Sequence, residues 1–533
     1  MQQKILFFVL LFSSIASGQI TYEHTYYNGF ASRIVLENSG EKYYLVDFTN
    51  HKIDFYNANH TFWKSIVLPI SENYYSIGIS NISENKLNND NLLEIVYSTY
   101  SAPNIRQSKI INEEGTVLLT VDNCYSLTID EKQGLPTKII SYSSTESNIY
   151  SVPELLLEHT YASNETKRII FENAGEKYYN FNPTTGIVTI YNNDHTFWKN
   201  ITLTKPDDYI FSGISFLSEN QINDDNLLEI GYGYYGIGEN QIYQSKIINE
   251  EGITLLSLDN VRYIDISDID GLAKKLIAYT TTNLSQIYSC PSLVLEHTYD
   301  GSIERVKLEI SGEKYYDNKI YSINSNVPVV AETIIYNSNH TLWKTITTPI
   351  QFSEFGSIIS VHASETKFNS DNLVELAYSC YSNTLDGGHY ESNIINENGT
   401  VLLNIPGASS IFLSEIPNLS KKLITNIYYN ISFDNIQYSS KIYGFDGPTV
   451  GVEDFNLMQI TISPNPASSY LEFKAENSII KKVVVYDLQG KIIQKFENDN
   501  IKKIDIQKFD AGLYIARLTD ENNKSYTYKF IKN

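Results

Sequence analysis

Cysteine, methionine and long apolar runs are almost missing from this chain, and each absence closes off a class of protein. Three cysteines, Cys124, Cys290 and Cys380, stand in unrelated contexts among 533 residues. They are too few and too irregular for a disulfide scaffold, no Cys-x-x-Cys pair suggests zinc, and they read as inert thiols. Beyond residue 18 no stretch approaches 18 consecutive apolar residues, so no later segment is expected to cross a membrane as a helix. Two methionines stand against 42 tyrosines, and no long segment repeats its apolar residues at the helical period, so helices should be few. Basic charge is scarce as well. Leaving aside Lys4 and everything from Leu457 onward, 27 basic residues face 53 acidic ones, a net of −26. Such a surface repels phosphate backbones, and nucleic acid is not an expected partner. It keeps an exported protein soluble, or recruits cations and basic ligands.

What the chain does have is a long repeat. Glu-His-Thr-Tyr at His24, His159 and His297 is followed by Gly-Glu-Lys-Tyr-Tyr at Gly40, Gly175 and Gly312. Then come the three tryptophans, Trp63, Trp198 and Trp343, at steps of 135 and 145 residues. Asp90, Asp225 and Asp371 open an Asp-Asn-Leu-Leu/Val-Glu motif, and Gly115, Gly252 and Gly399 follow an Ile-Ile-Asn-Glu. A fixed period carried through five motifs describes architecture.

Inside each long repeat runs a fainter period of about 45 residues, roughly the length of a four-stranded propeller blade. The first unit reads as strands at 42–46, 52–56, 62–66 and 75–79, the second at 92–96, 108–111, 116–119 and 125–129. A third begins at Lys138 and ends in Arg168–Phe171, with polar turns between all of them. Three repeats of three units predict an all-β propeller of up to nine blades. Its last unit, ending near Tyr443, lacks the Leu-Glu-His-Thr-Tyr strand, while Ile20–Tyr26 supplies that strand at the start of the chain. A ring closed by its own N-terminal strand explains this phase shift and leaves no open sheet edge. The alternative is a tandem array of three β-sandwich repeats.

The ends differ from the body. Met1–Gly18, with Lys4, an apolar run over Ile5–Phe12 and the small residues Ala16, Ser17 and Gly18, has the three-part form of a secretory signal peptide. Domain boundaries follow: signal peptide 1–18, propeller 19–445 in repeats of about 19–154, 155–292 and 293–445, linker 446–457, and a further domain 458–533. The last segment carries Pro464-Asn465-Pro466-Ala467, a Val-Tyr-Asp-Leu-Gln-Gly-Lys hairpin around Gly490, an Ala-Gly-Leu-Tyr strand with Gly512 and Tyr514, and a basic end at Lys532. Six or seven alternating strands predict a small β-sandwich. In these motifs, Pro464, Asn465, Pro466, Gly490, Gly512, Tyr514 and Lys532, the segment closely resembles the type A C-terminal sorting domain of the type IX (Por) secretion system of Bacteroidota. The resemblance implies passage through the Sec route, recognition by the outer-membrane translocon as partner, removal of the tail, and release or anchoring on the outer cell surface. It implies nothing about cargo activity. The repeats are similar to uncharacterised repeats of other such cargo.

Chemistry is harder to find. His24, His159 and His297 lie in strands, and His60, His195 and His340 at turns before the Trp strand; as positions demanded by every copy they read as packing or turn-capping residues. His51, His362 and His389 lack matching neighbours, and no nucleophile elbow, zinc helix or phosphate loop occurs. The Asn-Asp turns at Asp90, Asp225 and Asp371 read as Asx-turns and are also the only calcium candidates, since hard cations need clustered oxygens; no cofactor is otherwise expected. In Tyr43-Tyr44, Tyr178-Tyr179 and Tyr315-Tyr316, neighbours in a strand face opposite sides, so inter-blade filling is expected rather than one sugar-stacking surface. The expected function is a non-enzymatic module binding an unidentified glycan or protein through a ring face. A polysaccharide hydrolase or lyase at the centre and a surface-layer component are the alternatives. Deviations from the repeat, such as Thr384–Tyr390, are where a specific site would lie.

Overall fold

Short runs of Tyr, Ile, Val and Thr between Asn-, Asp- and Gly-bearing turns form strands wherever described, and no helix accompanies them. The computed structural model describes residues 19–446 and 460–533, apart from 71–75, 89, 102–104, 224, 239–240, 322–329, 349–355, 370, 385–386, 433–434, 465, 476–478, 488–490 and 522–524. The expected signal peptide and most of the expected linker lie outside the described residues. Residues 1–447 and 448–533 form two compact units.

In the first unit nine four-stranded antiparallel sheets follow one another. Blade 1 comprises Ser32–Leu36, Gly40–Asp47, Lys52–Asn57 and Phe62–Val67. Blades 2 to 8 occupy 76–122, 126–161, 167–202, 209–259, 261–300, 304–348 and 356–406. Blade 9 has three strands within 408–446 and takes its fourth from Gln19–Tyr27. That strand pairs antiparallel with Asn435–Asp446, from Gln19 opposite Asp446 to Tyr27 opposite Ser439.

Apolar clusters lie between every pair of consecutive blades, and the ninth joins blade 9 to blade 1. It holds Tyr26, Ala31, Tyr43, Leu45, Ile424 and Ile442. Polar contacts reinforce this junction, with the Ala31 amide on Ser440 Oγ at 2.9 Å and Arg33 reaching the carbonyls of Ser414 and Ser420. The ring is therefore closed, and the tandem sandwich array is excluded. The Tyr pairs straddle their blades as the strand alternation requires. Tyr43, Tyr178 and Tyr315 pack toward the preceding blade and Tyr44, Tyr179 and Tyr316 toward the following one.

The boundaries of the units differ from the sequence reading. The strands at 75–79 and 125–129, assigned to the ends of the first and second units, belong to Ser76–Ser83, which opens blade 2, and to Ser126–Asp130, which opens blade 3; Lys167–Phe171, assigned to the end of the third, opens blade 4. The physical reason is that connections between blades are as short as those within them; residues 162–166 link blades 3 and 4. Period alone does not say which turn crosses from one sheet to the next.

In the second unit, a three-stranded sheet (Ile460–Ser463, Tyr470–Ala475, Lys503–Asp505) and a four-stranded sheet (Ile480–Tyr486, Ile492–Glu497, Gly512–Asp520, Ser525–Lys532) share one core. Leu471 and Phe473 from the first pack with Val483, Val485, Ala516 and Leu518 from the second, so the unit is a small sandwich.

Candidate functional site

Because the strands of each blade alternate in direction, turns between strands 1–2 and 3–4 emerge on one face of the ring. Turns between strands 2–3, and the crossings to the next blade, emerge on the other. This division sorts the repeat motifs from the deviations.

The first face carries the invariant motifs, and nearly all of them serve blade junctions. His60, His195 and His340 sit at left-handed turn positions, with φ of 65°, 66° and 66°. Each bonds through Nδ1 to a tyrosine of the preceding blade (Tyr26, Tyr161, Tyr299; 2.9, 2.8 and 2.7 Å) and stacks on His24, His159 or His297 at 4.7 to 4.9 Å. The three turn histidines are thus bonded across a junction rather than to their own turn, and the three strand histidines stack on them. Burial and the neighbouring imidazole hold His24, His195 and His340 below the usual histidine range. Arg33, Arg168 and Arg305, buried, pair with Glu41, Glu176 and Glu313 at 2.7, 2.6 and 2.7 Å.

The three Asn-Asp turns are also on this face. Asp90, Asp225 and Asp371 each accept the amide two residues on (Leu92, Leu227, Leu373) at 2.9 Å, as Asx-turns. No group of three or more His, Cys, Asp or Glu side chains arranged to hold a metal occurs among the described residues. Beneath each turn lies a fully buried glutamate, Glu94, Glu229 or Glu375. Burial pushes these carboxyls up, to about 7, 7 and 8.

The second face is where the copies diverge. In the third repeat every strand 2–3 hairpin is longer than its counterparts. In blade 9, Lys422–Ser432 and Asn435–Asp446 replace the five-residue strands of blade 3. In blade 8, Glu375–Thr384 and Gly387–Asn396 outrun the eight-residue pair of blade 2. Along these hairpins a row of rings extends from Tyr381 to Tyr390 (4.8 Å), Tyr428 (5.7 Å) and Tyr438 (5.4 Å), closed by Phe30 of the blade 9 to blade 1 crossing at 5.2 Å from both Tyr428 and Tyr438. Tyr428 and Tyr438 are each 38% exposed. A third of the ring away, at blades 2 and 3, Tyr100, Arg106 and Tyr125 line a cavity of about 300 Å³. Of the ridge residues only Tyr390 lies in a segment singled out from the sequence; the others become visible once hairpin lengths are compared between copies. Of that segment, Leu385 and Asp386 lie outside the described residues.

In the tail, Tyr514 is buried against Phe530 and donates its hydroxyl hydrogen to the Asp510 carbonyl at 2.9 Å. Lys532 pairs in parallel with the buried Ala467, just after the exposed Pro464 and Pro466. Gly512 opens its strand, while Asn465 and Gly490 lie outside the described residues. The motif residues described thus sit at the start, edge and end of one sandwich.

Residues 461–533 match the Secretion system C-terminal sorting domain. The chain is type IX cargo with a propeller body, exported and then secreted or held at the outer surface. Similar curated proteins include an ulvan lyase of Nonlabens ulvanivorans, 28% identical over 137 residues, 25% of each chain. An endo-acting ulvan lyase of Formosa agariphila is 35% identical over 74 residues, 14% of each. The chain thus spans a quarter or less of these relatives. Among solved structures, the Dos1 propeller (TM-score 0.33, 10% identity) covers 72% of this chain and 95% of its own. BamB from Moraxella catarrhalis (TM-score 0.33, 10% identity) covers 70% and 99%. Likenesses this distant carry no functional argument, and the ring stands on its own strand pairing.

Since the sorting match is confined to the tail, deleting residues 458–533 should leave the protein in the periplasm. Fractionation of cells followed by immunoblotting checks this; normal appearance outside the cell would refute it.

Proposed function

We propose that the body is a non-enzymatic glycan-binding module and that the aromatic row at the third-repeat hairpins is its contact surface. The observation that supports this most is the row itself. Four rings in sequence, Tyr381, Tyr390, Tyr428 and Tyr438, lie on hairpins extended in one repeat only, Phe30 joins them from the blade 9 to blade 1 crossing, and Tyr428 and Tyr438 are exposed. Tyr381 and Tyr390 have aromatic counterparts in other copies, such as Tyr235 and Tyr243, but Tyr428, Tyr438 and Phe30 have none, whereas the junction-filling rings Tyr43, Tyr178 and Tyr315 recur in all three. Tyrosine suits sugar recognition because a flat apolar face meets the C–H face of a pyranose while its hydroxyl bonds the ring substituents. The test is binding of the full-length secreted chain to polysaccharides by affinity electrophoresis, against a Tyr428→Ala/Tyr438→Ala variant. Each aromatic contact contributes about 0.5–1.5 kcal/mol beyond burial, so the pair should weaken binding about tenfold. Unchanged affinity in that variant would remove the row from the site.

A second reading is favoured by the names of the relatives and by one local feature. Tyr100, Tyr125 and Arg106 meet in a cavity, and β-elimination from a polysaccharide needs a proton-abstracting group beside a cation that steadies the developing negative charge. Incubating the protein with uronate-containing polymers and following ultraviolet absorbance of the unsaturated product distinguishes the two: growth of absorbance, lost in Arg106→Ala, supports the lyase.

A further inference from the structure

The arginines of the body fall into two groups. Arg33, Arg168 and Arg305 are buried repeat positions, each paired to its own glutamate. Arg106 and Arg262 follow a different pattern. Strand register places Tyr100 opposite Arg106, Tyr235 opposite Tyr243, and Tyr381 opposite Tyr390, so these cross-strand pairs are equivalent in blades 2, 5 and 8. On the blade that follows, the left-handed residues Asn123 and Asn260 precede Cys124-Tyr125 and Val261-Arg262 respectively. Tyr125 and Arg262 are therefore equivalent too.

The two stations carry the same pair with its members exchanged. In the first, Arg106 on blade 2 lies over the ring of Tyr125 at 4.5 Å and near Tyr100 at 5.4 Å. In the second, Arg262 on blade 6 lies over Tyr243 of blade 5 at 5.7 Å. Neither arginine has a carboxylate within ion-pair distance among the described residues, although the body carries a net charge of −26 by sequence. Many surface lysines do have one, Lys64, Lys138, Lys199 and Lys344 among them. A guanidinium laid on an aromatic face keeps its N–H edge available for bidentate bonding to a carboxylate or sulfate. At the third station Tyr390 occupies the first position and Ser409 the second, so no cation is present and the neutral aromatic row replaces it.

We propose that Arg106 with Tyr100 and Tyr125, and Arg262 with Tyr243, are two subsites for acidic sugar units, carrying a carboxylate or a sulfate ester, of one polysaccharide. The proposal rests on the glycan-binding reading and names its ligand class. General repulsion from the acidic body does not prevent it, because at physiological salt charges are screened beyond about 8 Å and the groups in contact decide.

The test uses the full-length chain and three probes: polygalacturonate (carboxylate), κ-carrageenan (sulfate) and laminarin (neutral). Binding is measured by isothermal titration, with thermal melting as the folding control. Arg106→Gln/Arg262→Gln should bind the preferred acidic polymer about tenfold more weakly and leave laminarin unaffected. Arg106→Lys/Arg262→Lys, which keeps the charge but loses the planar fork, should recover only part. The two acidic probes tell carboxylate from sulfate. Equal binding of an acidic polymer by the glutamine variant overturns the proposal. So does binding of laminarin alone that is lost in Tyr428→Ala/Tyr438→Ala, a result that leaves the glycan reading standing. Absence of binding to every polymer, as for a body whose ligand is a protein, overturns both.

Discussion

Deleting Gln19–Tyr27 is expected to destabilise the far end of the sequence, blade 9, more than the segment it borders. The strand is the fourth of that blade, and nearly 400 residues separate Glu23 from Lys422, yet they form an ion pair at 2.6 Å. The deletion removes a ladder running from Gln19 to Tyr27 and the Tyr26 side chain, which is 3% exposed in the closing cluster. It also removes His24 and Tyr26 from His60. Loss of a buried aromatic alone costs about 3–5 kcal/mol. Each ladder bond adds about 1 kcal/mol net, and opening the edge exposes the facing surfaces of blades 9 and 1. The sum is comparable to the 5–15 kcal/mol by which whole domains are stable. Amide exchange should accelerate at Leu423, Ile424 and Ile442, and the melting temperature should fall. Tyr26→Phe, which keeps the ring but loses the hydroxyl bond to His60, should cost about 1 kcal/mol. Unchanged exchange at Ile424 and Ile442 after the deletion would mean that the N-terminal strand does not hold the ring shut.

Closure was legible in the sequence because the repeat was out of phase with the chain ends: the strand missing after Tyr443 was present at Ile20–Tyr26. The nine units were legible for the same reason, a period imposed on every copy by the need to bury both faces of each blade. The position of each blade's first strand was not, because intra-blade and inter-blade turns have similar length and composition. The divergent face was only half legible. Thr384–Tyr390 stood out as a break in the motif, but Tyr428, Tyr438 and Phe30 come from three chain segments that only the closed ring brings together. The exchange of Arg106 and Tyr125 for Tyr243 and Arg262 is hidden still more deeply. No position-by-position comparison of the repeats shows it, since what is kept is a cross-blade pair and not a residue.

The second large effect concerns pH. Glu94, Glu229 and Glu375 are 0% exposed, and the charged groups that raise their carboxyls after burial are all negative: Asp90 and Glu37, Asp225 and Glu172, Asp371 and Glu309. Ser83 and Ser218 donate to Glu94 and Glu229 at 2.8 Å, while Glu375 meets the Asp371 side chain instead of a serine. Burial first, and these negative charges after it, hold the carboxyls protonated to about pH 7, 7 and 8. In the unfolded chain a glutamate releases its proton near its ordinary value of about 4.3. Between the two values the folded state binds more protons, so stability falls as pH rises, and the contribution is lost once pH passes through 7 to 8. A shift of one unit corresponds to about 1.4 kcal/mol; allowing for water reaching the charged form, each site should lose about 1–3 kcal/mol between pH 5 and pH 9. His24, His195 and His340 act with the opposite sign. Held below the usual range, they favour the fold when neutral and withdraw that support as pH falls below about 6.5, so the curve has an acid limb of smaller height. The triple variant Glu94→Gln/Glu229→Gln/Glu375→Gln keeps an acceptor for the serines and removes the charge. Its melting temperature should match the parent near pH 5.5 and exceed it by several degrees at pH 8.5, with the acid limb unchanged. Parallel curves for the two proteins would show that these carboxyls are not held neutral. Added calcium supplies the other arm. A rise in the parent's melting temperature at pH 8.5 that the triple variant lacks would place a cation, and not a proton, between these glutamates and Asp90, Asp225 and Asp371.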